Sequence, residues 1–478
     1  MKNLDRRAFM GTVGKTALAL TGSALPVAGT ARAGAAPAAA RRNVVLMVSD
    51  DHGYQAGCYG DRVIQTPSID SLAAEGTRFP YAFCTSSSCS ASRSVILTGL
   101  YNHANGQFGH QHSFHNFHTH AWVRSLPVLL ADAGYRTCSI GKFHVQPEAI
   151  YHFEYYANKG IPGGSRNPVG MAENARKFIQ QDDPRPFFLY FCPSDPHRAG
   201  KGFANDRDYP GVTKVPCDPG RVPVPAWLPD QPEARRELAE YYQAISRLDQ
   251  GIGRLMQVLR ETGHWDDTLV IYLSDNGPPF PGAKTTLYEP GTRVPLIVRS
   301  PDQRGRAVVC NAMVTWADIA PTILDCARAG GPDYALHGRS FLPVLDQTDP
   351  KGWDEVYLSH TFHEITMYYP MRALRARRYK YIVNLADGLP YPFASDLYAS
   401  PTWQGVLRRG SKTFGKRTVE AYVHRPRHEL YDLEADPHEA VNLAGRAEHA
   451  QTLAALQAKL RAWQKKTQDP WLVKYRYE

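Results

Sequence analysis

Four short apolar runs, each followed directly by polar residues, constrain the fold of this chain of 478 residues more than any other feature. The runs cover residues 43–48, 137–140, 186–191 and 269–273. Continuous apolar runs of this length are typical of strands that are buried on both faces of a parallel sheet. Helical patterns lie between them, so the sequence predicts an α/β sandwich with a mostly parallel central sheet.

The clearest helical pattern covers residues 233–260, where apolar side chains recur every three or four positions from Leu238 to Leu259. Gly263 is expected to end this helix, because glycine readily adopts the left-handed conformation found after a last helical turn.

The pattern changes beyond residue 370. Residues 377–383 alternate like an exposed antiparallel strand, residues 429–433 resemble another, and apolar positions from Leu453 to Trp463 mark a final amphipathic helix. We therefore expect a larger domain at 41–370, followed by a smaller α+β domain with an antiparallel sheet at 371–478.

The first forty residues are expected to act as an address rather than as part of the fold. Residues 5–10 (DRRAFM) resemble a twin-arginine signal, and residues 31–33 (ARA) offer a cleavage site. We expect residues 1–33 to be removed when the export machinery delivers the folded protein to the periplasm or outside. A disordered basic tail is the alternative interpretation.

The formal net charge of +9 is compatible with several acidic partners. It would suit nucleic acid, an acidic surface or an acidic substrate. Nucleic acid is disfavoured, because the basic residues are spread along the chain and no nucleic-acid-binding motif is present. No apolar run approaches the ~20 residues of a membrane span, which argues against stable membrane insertion.

Polar clusters follow all four apolar runs. In chain order they are Ser49-Asp50-Asp51-His52, Gly141-Lys142-Phe143-His144, Ser194-Asp195-Pro196-His197-Arg198 and Ser274-Asp275-Asn276-Gly277. Each cluster alone is also compatible with an ordinary cap or turn. Because the carboxyl ends of parallel strands meet at one edge of a sheet, where ligands bind, the four together predict a single site.

These clusters combine metal ligands with cations. The predicted metal ligands offer only oxygen: Asp50, Asp51, Asp275 and Asn276. Such a set suits a hard ion such as Ca²⁺ or Mg²⁺ rather than zinc. Positive charge and exchangeable protons would come from Lys142, His144, His197 and Lys284. A metal beside such groups suits chemistry on a sulfate or a phosphate.

A nucleophile is available at Cys89, which precedes a serine-rich predicted helix whose N-terminus would lower the thiol pKa. By itself such a cysteine is also compatible with a small buried core residue. However, Cys89-x-Ala91-x-Arg93 followed by Thr98-Gly99 is similar to the signature of the formylglycine-dependent sulfatases. The four strand-end clusters also occur in the order that this family has.

The resemblance covers essentially the whole mature chain, including residues 430–443, which resemble the family's C-terminal domain. Within the family, the chain most resembles the heparan N-sulfatase branch (N-sulfoglucosamine sulfohydrolase, or sulfamidase). Segments outside the shared core support this branch: 105–107, 123–127, 194–198, 280–281, 363–372 and 469–471. The resemblance implies an alkaline-phosphatase-like sandwich and a sulfated glycan or small sulfated sugar as substrate.

The resemblance also implies a mechanism. A formylglycine-generating enzyme would oxidise Cys89 to formylglycine, whose hydrated gem-diol would be the nucleophile and a further ligand of the metal, with Ca²⁺ favoured over Mg²⁺. Arg93 and Lys142 would hold the diol, and Lys142 and Lys284 would hold the sulfate oxygens. His197 would donate a proton to the leaving group, and His144 would take the remaining diol proton.

Substrate-binding residues are expected in the branch-specific segments and in the third cluster. They are Asp195, Arg198, His363, Glu364 and Arg372. Two positions depart from the family pattern. Ala91 replaces the usual Pro, which leaves the maturation enzyme open, and Lys284 stands where the N-sulfatase branch carries Arg.

Six histidines between residues 103 and 120 also invite a metal interpretation. They are His103, His110, His112, His115, His118 and His120. We expect them instead to line a sugar pocket or to lie at the surface. None of the eight cysteines forms a C-x-x-C pair, so zinc ribbons and redox motifs are disfavoured, whereas disulfides and a homodimer stay open.

The leading hypothesis is an exported sulfatase that removes the N-sulfate of a terminal glucosamine in heparan-type glycans. The alternatives within the enzyme class are an O-sulfatase on another glycan or an aryl sulfate, and a phosphate or phosphonate monoester hydrolase on the same scaffold. A catalytically silent glycan-binding relative is the non-enzyme alternative, which the complete set of metal, Cys and His positions disfavours.

Overall fold

The centre of the larger sheet is strand β1 (Asn43–Ser49), all seven residues of which are buried. The computed structural model describes residues 41–200 and 202–477, so the signal peptide predicted at 1–33 lies outside the described residues. No helix in the described part is both long enough and apolar enough to cross a membrane.

The remaining strands of the described residues follow in chain order. They are β2 (Thr77–Arg78), β3 (Ala82–Phe83), β4 (Arg136–Gly141), β5 (Tyr155–Tyr156), β6 (Phe187–Cys192), β7 (Thr268–Ser274), β8 (Leu296–Arg299), β9 (Val308–Val309), β10 (Val314–Thr315), β11 (Glu355–His360), β12 (Met371–Ala376), β13 (Tyr379–Asn384), β14 (Thr413–Phe414), β15 (Arg417–Thr418) and β16 (His428–Asp432).

The α-helices of the described residues connect and cover these strands. They are α1 (Pro67–Glu75), α2 (Cys89–Thr98), α3 (Asn102–Asn105), α4 (Leu126–Asp132), α5 (Pro168–Ile179), α6 (Pro232–Glu261), α7 (Glu289–Thr292), α8 (Ile319–Ala327), α9 (Ser395–Tyr398), α10 (Pro401–Arg409), α11 (Val419–Val423), α12 (Ala450–Lys466) and α13 (Lys474–Tyr477).

The larger sheet has the strand order β5-β4-β6-β1-β7-β8-β2-β9. Neighbouring strands from β5 to β7 are parallel, whereas β8 runs antiparallel to both β7 and β2. The predicted apolar runs therefore form four adjacent strands of one sheet. In the register, Ser49 pairs with Ser274 and Gly141 pairs with Cys192, so the polar clusters leave the sheet at one edge.

Helices cover both faces of this sheet, because successive side chains of a buried strand point to opposite sides. Val44, Leu46 and Val48 pack in one apolar cluster with residues of α2, α4 and α8. Val45 and Met47 pack in another with residues of α1, α5 and α6. The long helix predicted at 233–260 is confirmed as α6, and Gly263 follows its end with a φ of 79°.

The smaller sheet is antiparallel, in the order β11-β12-β13-β16. The strand predicted at 377–383 begins too early, because Arg377 and Arg378 form the tight turn between β12 and β13. The domain boundary predicted at residue 371 falls between the first two strands of this sheet. Leu456, Leu460 and Trp463 of α12 pack on the sheet and join the same apolar cluster as β1.

A fully buried ion pair ties β12 to the segment that follows α12. Nε of Arg372 lies 2.7 Å from Oδ2 of Asp469, its Nη2 lies 2.9 Å from Oδ1, and neither side chain is exposed. Burial opposes ionisation of Asp469, but Arg372 holds the pKa of its carboxyl well below its usual range. The pair therefore stabilises the fold while both partners are charged.

The Asp469→Asn substitution should lower the free energy of unfolding by about 3–5 kcal/mol, because it leaves the Arg372 charge buried without its partner. Asp354→Asn is the control, since Asp354 pairs with Arg377 at 3.0 Å on the surface, where the loss should stay below about 1 kcal/mol. Denaturant unfolding measures both. The difference in free energy of unfolding between the wild type and Asp469→Asn should shrink as the pH falls below about 4, because the Asp469 carboxyl of the unfolded chain binds a proton at a higher pH than that of the folded chain. Equal losses in the two variants would contradict the prediction.

Candidate active site

A cavity of about 530 Å³ opens at the carboxyl ends of β1, β4 and β6. Its lining combines residues from three predicted clusters, from α2 and from two loops. These residues are Asp50, Cys89, His110, Gln111, His112, Lys142, His144, Ser165, Arg166, Ser194 and His197. The convergence of polar clusters predicted from the sequence is therefore present in the fold.

Two neighbouring carboxylates form the acidic centre of the site. Asp50 and Asp51 follow β1 directly and are completely buried. Asp51 has a φ of 66°, a strained conformation for a residue with a side chain, and its backbone N–H donates to Oδ1 of Asp275 at 3.0 Å. The turn after β1 is thus held against the turn after β7, which brings three carboxylates together.

Each of these carboxylates contacts a cation from a different part of the chain. Nζ of Lys142 donates to Oδ2 of Asp50 at 2.6 Å, and Nζ of Lys284 donates to Oδ2 of Asp51 at 2.9 Å. Nε of Arg93, a residue of α2, donates to Oδ2 of Asp275 at 2.9 Å. Burial opposes ionisation of Asp50, yet Lys142, His197 and Arg93 hold the pKa of its carboxyl well below its usual range.

Cys89 is the first residue of α2 and is completely buried beside the carboxylates. Its thiol donates to Oδ1 of Asp50 at 3.4 Å and lies 3.7 Å from Oδ1 of Asp51. The expectation that the helix N-terminus lowers the thiol pKa is wrong here. Burial raises the pKa of Cys89 well above its usual value and outweighs the opposing effect of Lys142 and Lys284, while Asp51 and Asp50 raise it further. An unmodified thiol at this position stays protonated and is a poor nucleophile.

His197 is held by contacts on both its ring and its backbone. Its Nδ1 lies 2.6 Å from Oδ2 of Asp51, which leaves Nε2 available for a ligand. Arg166 donates to the backbone oxygen of His197 at 2.7 Å and to Oδ1 of Asp195 at the same distance. Arg166 also lines the cavity, and no sequence pattern had indicated it.

His144 adopts a left-handed backbone conformation with a φ of 57° at the end of the β4 loop. Its Nε2 lies 2.8 Å from Nδ1 of His112, while its own Nδ1 is buried without a hydrogen-bond partner among the described residues. Burial, Lys142 and His110 lower the pKa of His144 well below its usual value. The imidazole is therefore neutral at neutral pH and can accept a proton.

The carboxylate cluster fits a hard divalent cation. Oδ1 of Asn276 is buried and has no hydrogen-bond partner among the described residues, while its Nδ2 donates to Oδ1 of Asp51 at 2.7 Å. Burial raises the pKa of Asp275 to about 7, and the charges of Asp50 and Asp51 add to this effect against Arg93. An unpaired carbonyl oxygen beside three crowded carboxylates is the donor set that Ca²⁺ or Mg²⁺ prefers.

Three of the predicted substrate-binding residues do not reach the cavity and instead form internal ion pairs. Arg372 pairs with Asp469, as described above. Asp195 is fully buried between Arg166 and Arg247, whose Nε lies 2.6 Å from its Oδ2. Arg198 is buried against Glu237, with Nε and Oε1 2.9 Å apart. These side chains support the site without facing a substrate.

The other two lie closer to the site. His363 is buried, with Nε2 2.8 Å from Nε2 of His110 and Nδ1 2.9 Å from Oγ of Ser88. Glu364 accepts from the backbone N–H of Ser395 at 3.0 Å. Together with Asp396, which lies 3.8 Å from Lys284, His363 and Glu364 form a group of possible ligand atoms. Asp396 carries no sequence signal, because its place depends on a distant loop.

The histidines between 103 and 120 separate into different environments. His110 and His112 line the cavity, as expected for some of them. His103 is buried instead, between hydroxyls of Ser359 and Thr467. All eight cysteines are free in the structure, so no disulfide forms among residues 58–326.

Comparisons with known proteins agree with this geometry. A family model described as "Sulfatase" matches residues 42–329, and one described as "N-sulphoglucosamine sulphohydrolase, C-terminal" matches residues 283–402. The chain is 42% identical over 462 residues to the N-sulphoglucosamine sulphohydrolase of Homo sapiens, covering 90% of this chain and 91% of the relative. It is 28% identical to an ulvan-active sulfatase of Formosa agariphila, covering 89% and 80%.

Solved structures share the fold at lower identity. The structure of BT4656 in complex with D-glucosamine-2-N,6-O-disulfate superposes with a TM-score of 0.67 at 23% identity, covering 90% of this chain and 99% of that one. The phosphonate monoester hydrolase of Agrobacterium radiobacter superposes with a TM-score of 0.66 at 20% identity, covering 89% and 96%. The predicted alkaline-phosphatase-like sandwich with a smaller antiparallel sheet is confirmed.

Removal of divalent cations with EDTA should lower the midpoint of thermal unfolding, and Ca²⁺ should restore it, because the crowded carboxylates lose their counter-charge. At 100 times its dissociation constant, a single bound ion stabilises the fold by about 2.7 kcal/mol. Calorimetry measures the shift without any substrate. In Asp275→Asn, Ca²⁺ should raise the midpoint of thermal unfolding much less than in the wild type. A rise equal to that of the wild type would exclude this metal site.

Proposed function

This chain belongs to the sulfatase family, whose members hydrolyse sulfate esters or sulfamates, and we propose that its substrate is the N-sulfate of a terminal glucosamine in heparan-type glycans. The observation that carries the proposal is the likeness to the human N-sulphoglucosamine sulphohydrolase, which extends over nine-tenths of both chains. The match to the C-terminal model of that enzyme supports it at the residues beyond the shared core.

Lys142, which lines the cavity, and Lys284, which is buried beside His197, provide the binding site for the anionic group. Lys142 and Lys284 reach the carboxylates from different segments of the chain, with Nζ 2.6 Å from Asp50 and 2.9 Å from Asp51 respectively. Positive charge held in a partly closed cavity stabilises a sulfate group and the charge that develops on its oxygens. Lys284 is a point charge with rotatable donors, so it binds sulfate oxygens singly rather than in the paired manner of Arg.

His197 and His144 have different roles in proton transfer. His197 is fixed at Nδ1 by Asp51, so Nε2 is the atom that donates a proton to the departing amine. His144 is neutral for the reasons given above, and its unpartnered Nδ1 accepts a proton from the nucleophile. Arg166 keeps His197 in place through its backbone oxygen.

Two groups complete the site when present. Sulfatases generally use formylglycine and a divalent metal. We infer that Asp50, Asp51, Asp275 and Asn276 hold Ca²⁺, with Mg²⁺ as the alternative, and that the ion supplies positive charge for the sulfate oxygens. Formylglycine made from Cys89 supplies the hydrated aldehyde that acts as nucleophile. The raised pKa of the Cys89 thiol supports this conversion, because the thiol itself is poorly suited to attack.

Export completes the proposal. The twin-arginine motif at 5–10 and the cleavage site at 31–33 support delivery to the periplasm or outside, where sulfated glycans are accessible. Since twin-arginine export carries folded proteins, the formylglycine-generating enzyme would act on Cys89 before the chain leaves the cytoplasm. The positive charge of the chain suits a polyanionic substrate.

N-sulfoglucosamine should be hydrolysed with a kcat/KM roughly 100-fold higher than glucosamine 6-sulfate, because a site that hydrogen-bonds the leaving amine discriminates against an oxygen ester elsewhere on the ring. An aryl phosphonate monoester tests the phosphonate hydrolase alternative in the same assay. Faster release of the 6-O-sulfate would assign the chain to O-sulfatases, and faster phosphonate hydrolysis would assign it to the phosphonate hydrolases.

Mass spectrometry of the exported protein should show the peptide containing Cys89 with its thiol replaced by an aldehyde, and a new N-terminus after Ala33. Cys89→Ala should lower the rate at least about 10³-fold, because it removes the nucleophile. Cys84→Ala is the matched control, since Cys84 is equally buried but its thiol donates to the backbone oxygen of Gly291 instead of to a carboxylate of the site. An active enzyme with an unmodified Cys89 thiol would refute the mechanism.

A further inference from the structure

Three histidines of the cavity wall lie beside the carboxylate centre, and each offers a ring nitrogen within 4.8 Å of the other two. The ring centroids of His110 and His112 are 5.0 Å apart, those of His110 and His144 are 4.9 Å apart, and those of His112 and His144 are 5.0 Å apart. Imidazoles that bind one tetrahedral ion at about 2.0–2.1 Å place their centroids roughly 5 Å apart. The triangle therefore has the spacing that a shared ion requires.

Contacts outside the triangle hold the rings in this arrangement. The backbone N–H of His110 donates to the oxygen of His363 at 2.8 Å, and the backbone N–H of Gln111 donates to Oγ of Ser90 at 3.1 Å. The left-handed backbone of His144 turns its ring toward His112. Nε2 of His110 lies 2.8 Å from Nε2 of His363 and its Nδ1 lies 3.5 Å from Oγ of Ser90, so one of these two contacts must be exchanged for the ion.

A metal ion can replace the proton that His112 and His144 share in their hydrogen bond. Nδ1 of His112 and Nε2 of His144 face each other at 2.8 Å, so one of the two neutral rings must donate its N–H to the other. An ion can take both lone pairs if the bridging proton moves to the other nitrogen of its own ring through solvent. His112 is exposed, which allows this exchange.

The ligand chemistry differs from that of the carboxylate centre. Three imidazoles with a fourth position open to water are a typical set for Zn²⁺, and they also suit Cu²⁺ and Ni²⁺. Burial, followed by the nearby lysines, lowers the pKa of His110 and His144 well below the usual value, which keeps both rings in the neutral form that binds metal. Asp50 offsets the charge of Lys142 at 2.6 Å, and Glu364 adds negative charge near His112.

We propose that His110, His112 and His144 form a second metal site that takes a borderline-soft divalent ion such as Zn²⁺, and that this ion inhibits hydrolysis by occupying His144. The sequence favoured a sugar-lining or surface role for the two histidines of the 103–120 segment. The inhibition rests on the proposed function, because His144 accepts a proton there. The binding of the ion does not rest on it.

Zinc binding is measured on the full-length protein saturated with Ca²⁺, by isothermal titration and by competition with a chromophoric chelator. The wild type should bind one Zn²⁺, and His112→Ala should bind it at least about tenfold more weakly. His118→Ala is the matched control, because His118 is an exposed histidine of the same segment outside the triangle and should leave the affinity unchanged. Equal affinity in His112→Ala would overturn the site.

X-ray absorption of the zinc-loaded protein identifies the ligands independently. We expect nitrogen ligands at about 2.0–2.1 Å with imidazole scattering. A first shell made of carboxylate oxygens or sulfur would instead place zinc at Asp50, Asp51 and Cys89, and would overturn the proposal.

Inhibition is measured with the substrate that the protein hydrolyses fastest. Zinc should lower the wild-type rate, and a chelator selective for zinc over calcium should restore it. The zinc concentration for half-inhibition should rise at least about tenfold in His112→Ala, relative to its own zinc-free rate. Zinc bound at the triangle without loss of turnover would overturn the inhibitory role. A chain that binds zinc there but hydrolyses no sulfate would support the site and refute only the proposed function.

Discussion

Two adjacent carboxylates, Asp50 and Asp51, are completely buried at the end of the central strand, and the rest of the candidate site is arranged around their charge. A buried charge is costly unless it is paired and hydrogen-bonded. Lys142, Lys284 and His197 meet this requirement from three different segments of the chain. Lys142 and His197 also line the cavity, and Nζ of Lys284 lies 3.5 Å from Nδ1 of His197, so the groups that stabilise the carboxylates also create a binding site for an anion.

Side chains of the smaller sheet hold the segment that carries Lys284. Glu289 begins α7 in the segment after β7 that also carries Lys284. Its Oε1 accepts from Nε of Arg375 at 3.1 Å and from Nζ of Lys380 at 3.1 Å. These cations belong to β12 and β13, so the antiparallel sheet holds the segment that bears a cation of the site. The smaller sheet thus helps to position the segment that carries Lys284.

The sequence allowed accurate prediction where the evidence was local. The four apolar runs became adjacent strands because burial on both faces selects continuous apolar residues, and α6 matched its predicted bounds because its period is strong.

Prediction failed where a partner lies far along the chain. Arg372 was expected to bind substrate, but Asp469 lies 97 positions away in sequence and occupies its guanidinium. The thiol of Cys89 was judged from its helix alone, whereas its pKa is raised mainly by burial, which depends on segments packed around it from elsewhere in the chain.

The amino-acid sequence by itself determined the family, the class of fold and the chemical type of each strand-end cluster, because these depend on residue type, order and local periodicity. Tertiary structure alone decided which polar residues reach the cavity. It placed Arg166 and His112 on the wall and buried Asp195 and Arg198 behind it, because strand register and long-range ion pairs set the direction of each side chain. It also brought His110 and His112 to His144 from a separate loop, a proximity that no spacing in the sequence encodes.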